Sequence, residues 1–280
     1  MKRLSLVLFL VLSLAALGYS MTYYVNKAAD AGGDGTTKAL TGAHRAFKTI
    51  AQVNVASFSP GDSILFNRGD TWREQLTIPS SGSAGRPITF GAYGTGALPI
   101  INGSDVVSTW TAVAGGATNL WKAAEAKAVG HLIFNANIWG VRRKDLTQLS
   151  AEYQWVLQGG QLYCYAATNP GSRYASIEAS TRAHCIYMNS KPYITITGLM
   201  LVNAKTHNFQ SYDASNYLIV DGITTAYACQ CGIQVGSTTA KDAYTGIIIK
   251  NNTTYMNGQR GIITCNYASG TIIEGNNSTY

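Results

Sequence analysis

Tyr193-Ile194-Thr195-Ile196-Thr197-Gly198-Leu199 returns as Tyr217-Leu218-Ile219-Val220-Asp221-Gly222-Ile223. It returns again as Ile247-Ile248-Ile249-Lys250-Asn251-Asn252 and as Thr271-Ile272-Ile273-Glu274-Gly275-Asn276. With Leu199, Ile223, Asn252 and Asn276 as equivalent positions, the steps are 24, 29 and 24 residues. Each unit is a short β-rich run, a Gly or Asn turn and a second short run. Such a period belongs to solenoids, whose units cannot bury an apolar face alone and stack to share one core. With β-rich units it predicts an all-β, right-handed parallel β-helix, whose long grooved surface suits a polymer.

Aligning the units sorts their inward positions. Ile186, Phe209, Ile233 and Ile262 fall at one inward position of the first strand of each coil, and Ile196, Val220, Ile249 and Ile273 at one of the second. Parallel strands stack about 4.8 Å apart, so these residues are expected to form continuous apolar ladders. Leu199 and Ile223 continue as Asn252 and Asn276 at the turn between the second and third strands. Stacked amides can bond along the stack and satisfy buried turn groups. Asn251-Asn252-Thr253 and Asn276-Asn277-Ser278 read as glycosylation sequons, but the ladder makes them structural.

Composition agrees with a turn-rich β protein. Of 280 residues 46% are hydrophobic and only 12% charged, with 29 Gly and 17 Tyr; a helical bundle needs more Glu, Lys, Ala and Leu. The net charge is +7, or +5 without Lys2 and Arg3. That balance favours acidic partners such as uronic-acid polysaccharides. Its cations are scattered rather than striped, which argues against nucleic acid. Lys2-Arg3, the apolar residues 4–17 and Gly18-Tyr19-Ser20 read as a secretory signal over residues 1–20, cleaved before Met21. The apolar run is shorter than the roughly 20 residues of a spanning helix. The mature protein is thus expected to be secreted or periplasmic, without stable membrane insertion, and monomeric. Cys164, Cys185, Cys229, Cys231 and Cys265 are odd in number and lack zinc-site spacing, so buried structural thiols are expected.

Three segments follow the signal. Residues 21–103 carry a strand at Thr22-Tyr23-Tyr24-Val25, a Gly33-Asp34-Gly35 loop and a helix over residues 44–53, with Ala46, Phe47, Ile50 and Val53 on its apolar face. Pro60-Gly61-Asp62 and the run Gly82-Ser83-Ala84-Gly85-Arg86-Pro87-Ile88-Thr89-Phe90-Gly91-Ala92-Tyr93-Gly94 complete it. These pieces resemble the N-terminal cap and first coils of secreted bacterial parallel β-helix proteins of the pectate-lyase-like superfamily. A helix over the first coil blunts its open edge. Residues 104–182 break the period and hold Trp110, Trp121, Trp139 and Trp155. The resemblance implies an inserted, β-rich, sandwich-like lobe there; its Trp residues are expected to form the lobe's core, with sugar-stacking platforms as the alternative. Residues 183–280 return to the solenoid and stop just past a turn without a capping element, so the chain is expected to be a truncated piece with further coils missing.

In this superfamily the substrate groove usually follows the outward face of the first strand. At the start of that strand Arg182, Lys205, Cys229 and Gly258 align; two positions later come His184, His207, Cys231 and Arg260. Outward lie Tyr187, Gln210, Gln234 and Ile263; at the far end lie Ser190, Asp213, Ser237 and Asn266, with Tyr212 beside them and Asp242 in the long loop. The resemblance implies β-elimination from a uronate polysaccharide. Lys205 or Arg260 would be the base, with His207 also in the catalytic set, and Asp213 with Asp242 would hold Ca²⁺ to neutralise the uronate carboxylate. Arg182, His184, Tyr187, Gln210, Tyr212, Gln234 and Asn266 would bind substrate. No clustered acidic calcium motif is present. A glycoside hydrolase on the same scaffold needs two carboxylates about 5–9.5 Å apart, which Asp213 and Asp242 on neighbouring coils can supply. A non-catalytic carbohydrate-binding or adhesive β-helix needs only the groove and platforms such as Tyr187, Tyr212 and Tyr267.

Overall fold

A computed structural model describes residues 19–115, 118–125, 127–236, 244–265, 268 and 270–279. Three parallel sheets wrap one core. The first contains Leu76–Thr77, His184–Asn189, His207–Tyr212, Cys231–Val235 and Arg260–Thr264. The second runs from Thr22–Val25 through Ser63–Asn67, Ile88–Tyr93, Ile194–Thr197, Ile219–Asp221 and Ile248–Lys250 to Ile272–Glu274. The third contains Thr71–Trp72, Ile100–Asn102, Met200–Val202, Thr224–Ala226, Thr253–Tyr255 and Asn277–Thr279. The ladders are in register: Leu76, Ile186, Phe209, Ile233 and Ile262 pair in succession, as do Ile196, Val220, Ile249 and Ile273.

Stacking extends to the turns. Tyr193, Tyr217, Gly246 and Gly270 all have left-handed backbones (φ 58°, 56°, 66° and 69°), and so do Gly198, Gly222, Asn251 and Gly275 (φ 62°, 67°, 55° and 61°). A tyrosine there carries a steric cost that glycine avoids. The Tyr193 and Tyr217 rings stack at 4.5 Å and 10°. Position 246 must then be glycine, because a Cβ would lie 2.5 Å from the Tyr217 ring. The asparagine ladder is present: Asn252 Oδ1 accepts from Ile223 N at 2.9 Å, and Asn252 Nδ2 donates to Val220 O at 3.0 Å and Asn276 Oδ1 at 2.9 Å.

The capping helix is Ile50–Val55, later than the expected residues 44–53. Thr49 and Gln52 form a capping box, with Gln52 N donating to Thr49 Oγ1 and Gln52 Oε1 accepting from Thr49 N. Upstream, Phe47 is extended and pairs in parallel with Val25. Apolar spacing suggested one helical face, but strand pairing claims its first half.

Between residues 104 and 180 the chain leaves the solenoid and forms two sheets of four and five strands with their own core. Trp110 and Trp155 are buried in it, and Trp121 packs against it. Trp139 instead stacks on the buried His131 ring at 4.5 Å and 6°. Two ion pairs bind this lobe to the helix: Arg73 to Glu178, and Arg182 to Asp105.

Candidate substrate groove on the first sheet

Where the third sheet turns into the first, His184 pairs with His207 and Ile186 with Phe209 in one register. Cys185 and Asn208 lie between these pairs, and both are fully buried. Asn208 Nδ2 donates to Ala226 O at 2.8 Å, and its Oδ1 accepts from Ala204 N at 3.1 Å. Asn257 repeats this one turn further on, accepting from Ala228 N at 3.0 Å. This second asparagine stack, absent from the sequence reading, fixes the strand start from which the histidines project. Its sequence signal is faint, since Asn208 and Asn257 occupy different positions of their coils.

His184 and His207 rings stack at 5.9 Å and 9°, and Tyr187 stacks on His184 at 5.4 Å and 17°. The hydrogen bonds assign the two tautomers. His184 Nδ1 lies 3.3 Å from the His207 carbonyl oxygen, which can only accept. Nδ1 therefore carries the proton and Nε2 the lone pair. His207 Nδ1 accepts from Cys231 N at 3.3 Å, which puts its proton on Nε2. Burial lowers both imidazoles to about 4; Lys205 adds to this at His184, and His184 at His207. Both rings are neutral at pH 7, one an acceptor and the other a donor.

The remaining expected residues are placed unevenly. Tyr212 sits 6.1 Å from Tyr187, ring to ring, and both are half-buried. Gln234 is half-buried, with Nε2 3.3 Å from Cys265 Sγ. Arg260 is exposed, in register with Cys231, whose thiol it hydrogen-bonds. Lys205 is half-buried against the lobe, close enough that a Cβ on Gly130 would meet its Cγ at 2.9 Å. Asp213 is half-buried, with its backbone at φ 38°. Asp242 and Asn266 lie outside the described residues.

Two expectations need correction. Gln210 is fully buried, its Nε2 donating to Ser211 O at 3.0 Å, so it offers no surface to substrate. Arg182 is committed to the lobe, donating to Asp105 Oδ1 at 2.7 Å and Ser104 O at 3.0 Å. Among the described residues no three His, Cys, Asp or Glu side chains converge, and Ca²⁺ takes six to eight oxygen ligands. Asp242, the second residue expected to hold Ca²⁺ with Asp213, lies outside the described residues. All five cysteines are free, and burial raises the pKa of Cys164, Cys185, Cys229 and Cys231, which keeps these thiols protonated.

No protein-family profile matches this sequence, and no curated protein matches it. Solved structures do. A complex of XylC with xylose overlaps 92% of this chain at a TM-score of 0.70 and 18% identity. This chain spans 54% of that protein's length. A protein described as a glycoside hydrolase overlaps 85% of this chain and 74% of its own at a TM-score of 0.56 and 9% identity. The pectate lyase Pel9A overlaps 86% of this chain and 41% of its own, at a TM-score of 0.45 and 14% identity. Three parallel sheets in register around one core, capped by a helix and carrying an inserted lobe, make this chain a right-handed parallel β-helix.

Proposed function

We propose that this is an exported carbohydrate-active enzyme that holds an acidic polysaccharide along the first sheet and cleaves it by β-elimination. The observation that carries this reading is the groove's described inventory. It holds the cations Lys205 and Arg260, a neutral acceptor and donor in His184 and His207, stacked tyrosines, and one carboxylate, Asp213. Elimination needs a base for the proton α to the uronate carboxylate and positive charge to stabilise the enolate-like product. Hydrolysis needs two carboxylates.

The tautomers refine the roles. His207 presents Nε2–H, so it donates to the developing oxyanion instead of accepting the proton. His184 Nε2 is unprotonated at neutral pH but weakly basic, which suits a hydroxyl acceptor. Lys205 and Arg260 remain as base and carboxylate partner. Digestion of a galacturonate or alginate polymer should yield products with the ultraviolet absorbance of an unsaturated uronate. Lys205→Ala or Arg260→Ala should lower the rate by about a hundredfold or more; full activity in both variants discards this site. A parallel digestion with EDTA tests the Ca²⁺ expectation. Hydrolysis is the second reading, favoured by the overlap with the protein described as a glycoside hydrolase. New reducing ends without that absorbance would establish it.

A further inference from the structure

A cleft of about 360 Å³, lined also by Ala136 and Glu178 of the lobe, lies against the outward face of the third sheet. Its size falls within the range of about 300–1,000 Å³ usual for small-molecule sites. Ile100, Met200 and Val202 form an apolar floor, stacked in register across two coils. Tyr227 and Tyr255 stand at one side with rings 5.9 Å apart at 82°, and both are half-buried.

The far end is polar and rigid. Arg73 donates to both Glu178 oxygens at 2.9 Å and to Ser104 O at 3.2 Å. Glu178 also accepts from Asn102 Nδ2 at 3.1 Å, Ser104 Oγ at 2.5 Å and Asn203 Nδ2 at 2.9 Å. Burial opposes its charge, but the bonds from Arg73 and Ser104 hold its carboxyl down to about 2. Asn203 is 5% exposed, and its Oδ1 is buried without a hydrogen-bond partner among the described residues. Buried amide oxygens are ordinarily satisfied.

An apolar floor, aromatic sides and fixed polar groups at one end match a sugar ring, which has C–H faces and an equatorial rim of hydroxyls. The charges in the wall already cancel: one guanidinium meets one carboxylate. A uronate would bring a second carboxylate beside Glu178 with no cation left to match it. We propose that this cleft is a saccharide-binding site, distinct from the first-sheet groove, that takes a neutral pyranose unit and rejects an acidic one. It positions neutral residues or side chains of a polymer whose backbone runs elsewhere.

Calorimetric titration with a neutral xylose trisaccharide and with a galacturonate trisaccharide tests this. Met200→Trp fills the floor from the outward face of the sheet, and Tyr255→Ala removes one side. Both should weaken binding of the neutral trisaccharide by about tenfold or more, whereas Tyr187→Ala in the groove should leave it unchanged. The galacturonate trisaccharide should not compete. The proposal fails if the neutral trisaccharide does not bind, if Tyr255→Ala and Met200→Trp bind it normally, if Tyr187→Ala abolishes the binding, or if galacturonate displaces it. If Met200→Trp does not fold, Tyr255→Ala at a half-exposed position carries the test. Loss of lyase activity in Lys205→Ala bears only on the groove, so the two readings fail separately.

Discussion

At the scale of single residues, three histidines make stability depend on pH. His131, His184 and His207 are each lowered to about 4, principally by burial. In the unfolded chain an imidazole titrates near 6.5. Between those values the unfolded state binds more protons than the folded one, so stability rises with pH across that window. The stabilising contribution is fully present above about pH 6.5 and is lost as pH falls toward 4. Glu178 and Asp105, both held near 2, lose their own contribution as pH falls through the ordinary carboxylate range toward 2. Urea midpoints measured from pH 7.5 to 4 should therefore decline most between 6.5 and 4. His207→Gln keeps an acceptor for Cys231 N and should flatten that decline; an unchanged slope would mean that His207 is protonated in the folded protein.

At the scale of elements, the asparagine ladder shows that a turn position can reject a better hydrophobe. Leu199 and Ile223 hold the place that Asn252 holds one coil later, and all three are buried. Asn252→Leu would fit the volume. It would also strip Ile223 N and Val220 O of their side-chain partners. Leaving buried backbone groups unpaired costs about 1–3 kcal/mol each, so denaturant unfolding should show a loss of about 2 kcal/mol or more, and a neutral or stabilising result would refute the ladder's role. This element was legible because Ile, Val and Asn recur at fixed steps along the chain. The Asn208 and Asn257 stack was not, because it depends on hydrogen bonds between different positions of successive coils. The start of the capping helix was misread for a related reason: Phe47 satisfies helical spacing, but pairing with Val25 decides its backbone. In the groove, His184, His207, Cys231 and Arg260 could be aligned from the period, whereas the burial of Gln210 and the capture of Arg182 by Asp105 depend on packing that periodicity does not contain.

At the scale of the whole molecule, the proposed export and the cap meet at one contact. Among the described residues no helix is long and apolar enough to cross a membrane, and residues 4–17 lie outside them. Cleavage before Met21 would leave its nitrogen as a free ammonium group. That nitrogen already lies 2.7 Å from Asp62 Oδ1, while Asp62 Oδ2 accepts from Ser59 N at 2.7 Å. Asp62 is 1% exposed and Met21 45%, so processing would convert an amide-to-carboxylate hydrogen bond into an ammonium–carboxylate pair. Asp62→Asn offers only one oxygen to two donors and should destabilise any form of the protein. The loss should be larger, by about 1 kcal/mol, in a chain beginning at Met21 than in one beginning at Tyr19, where the Met21 nitrogen remains an amide. Urea unfolding of the four proteins, together with mass spectrometry of the exported product, measures both claims. Equal losses in the two backgrounds would show that the ammonium does not pair with Asp62, and an exported product beginning elsewhere would move the cleavage site.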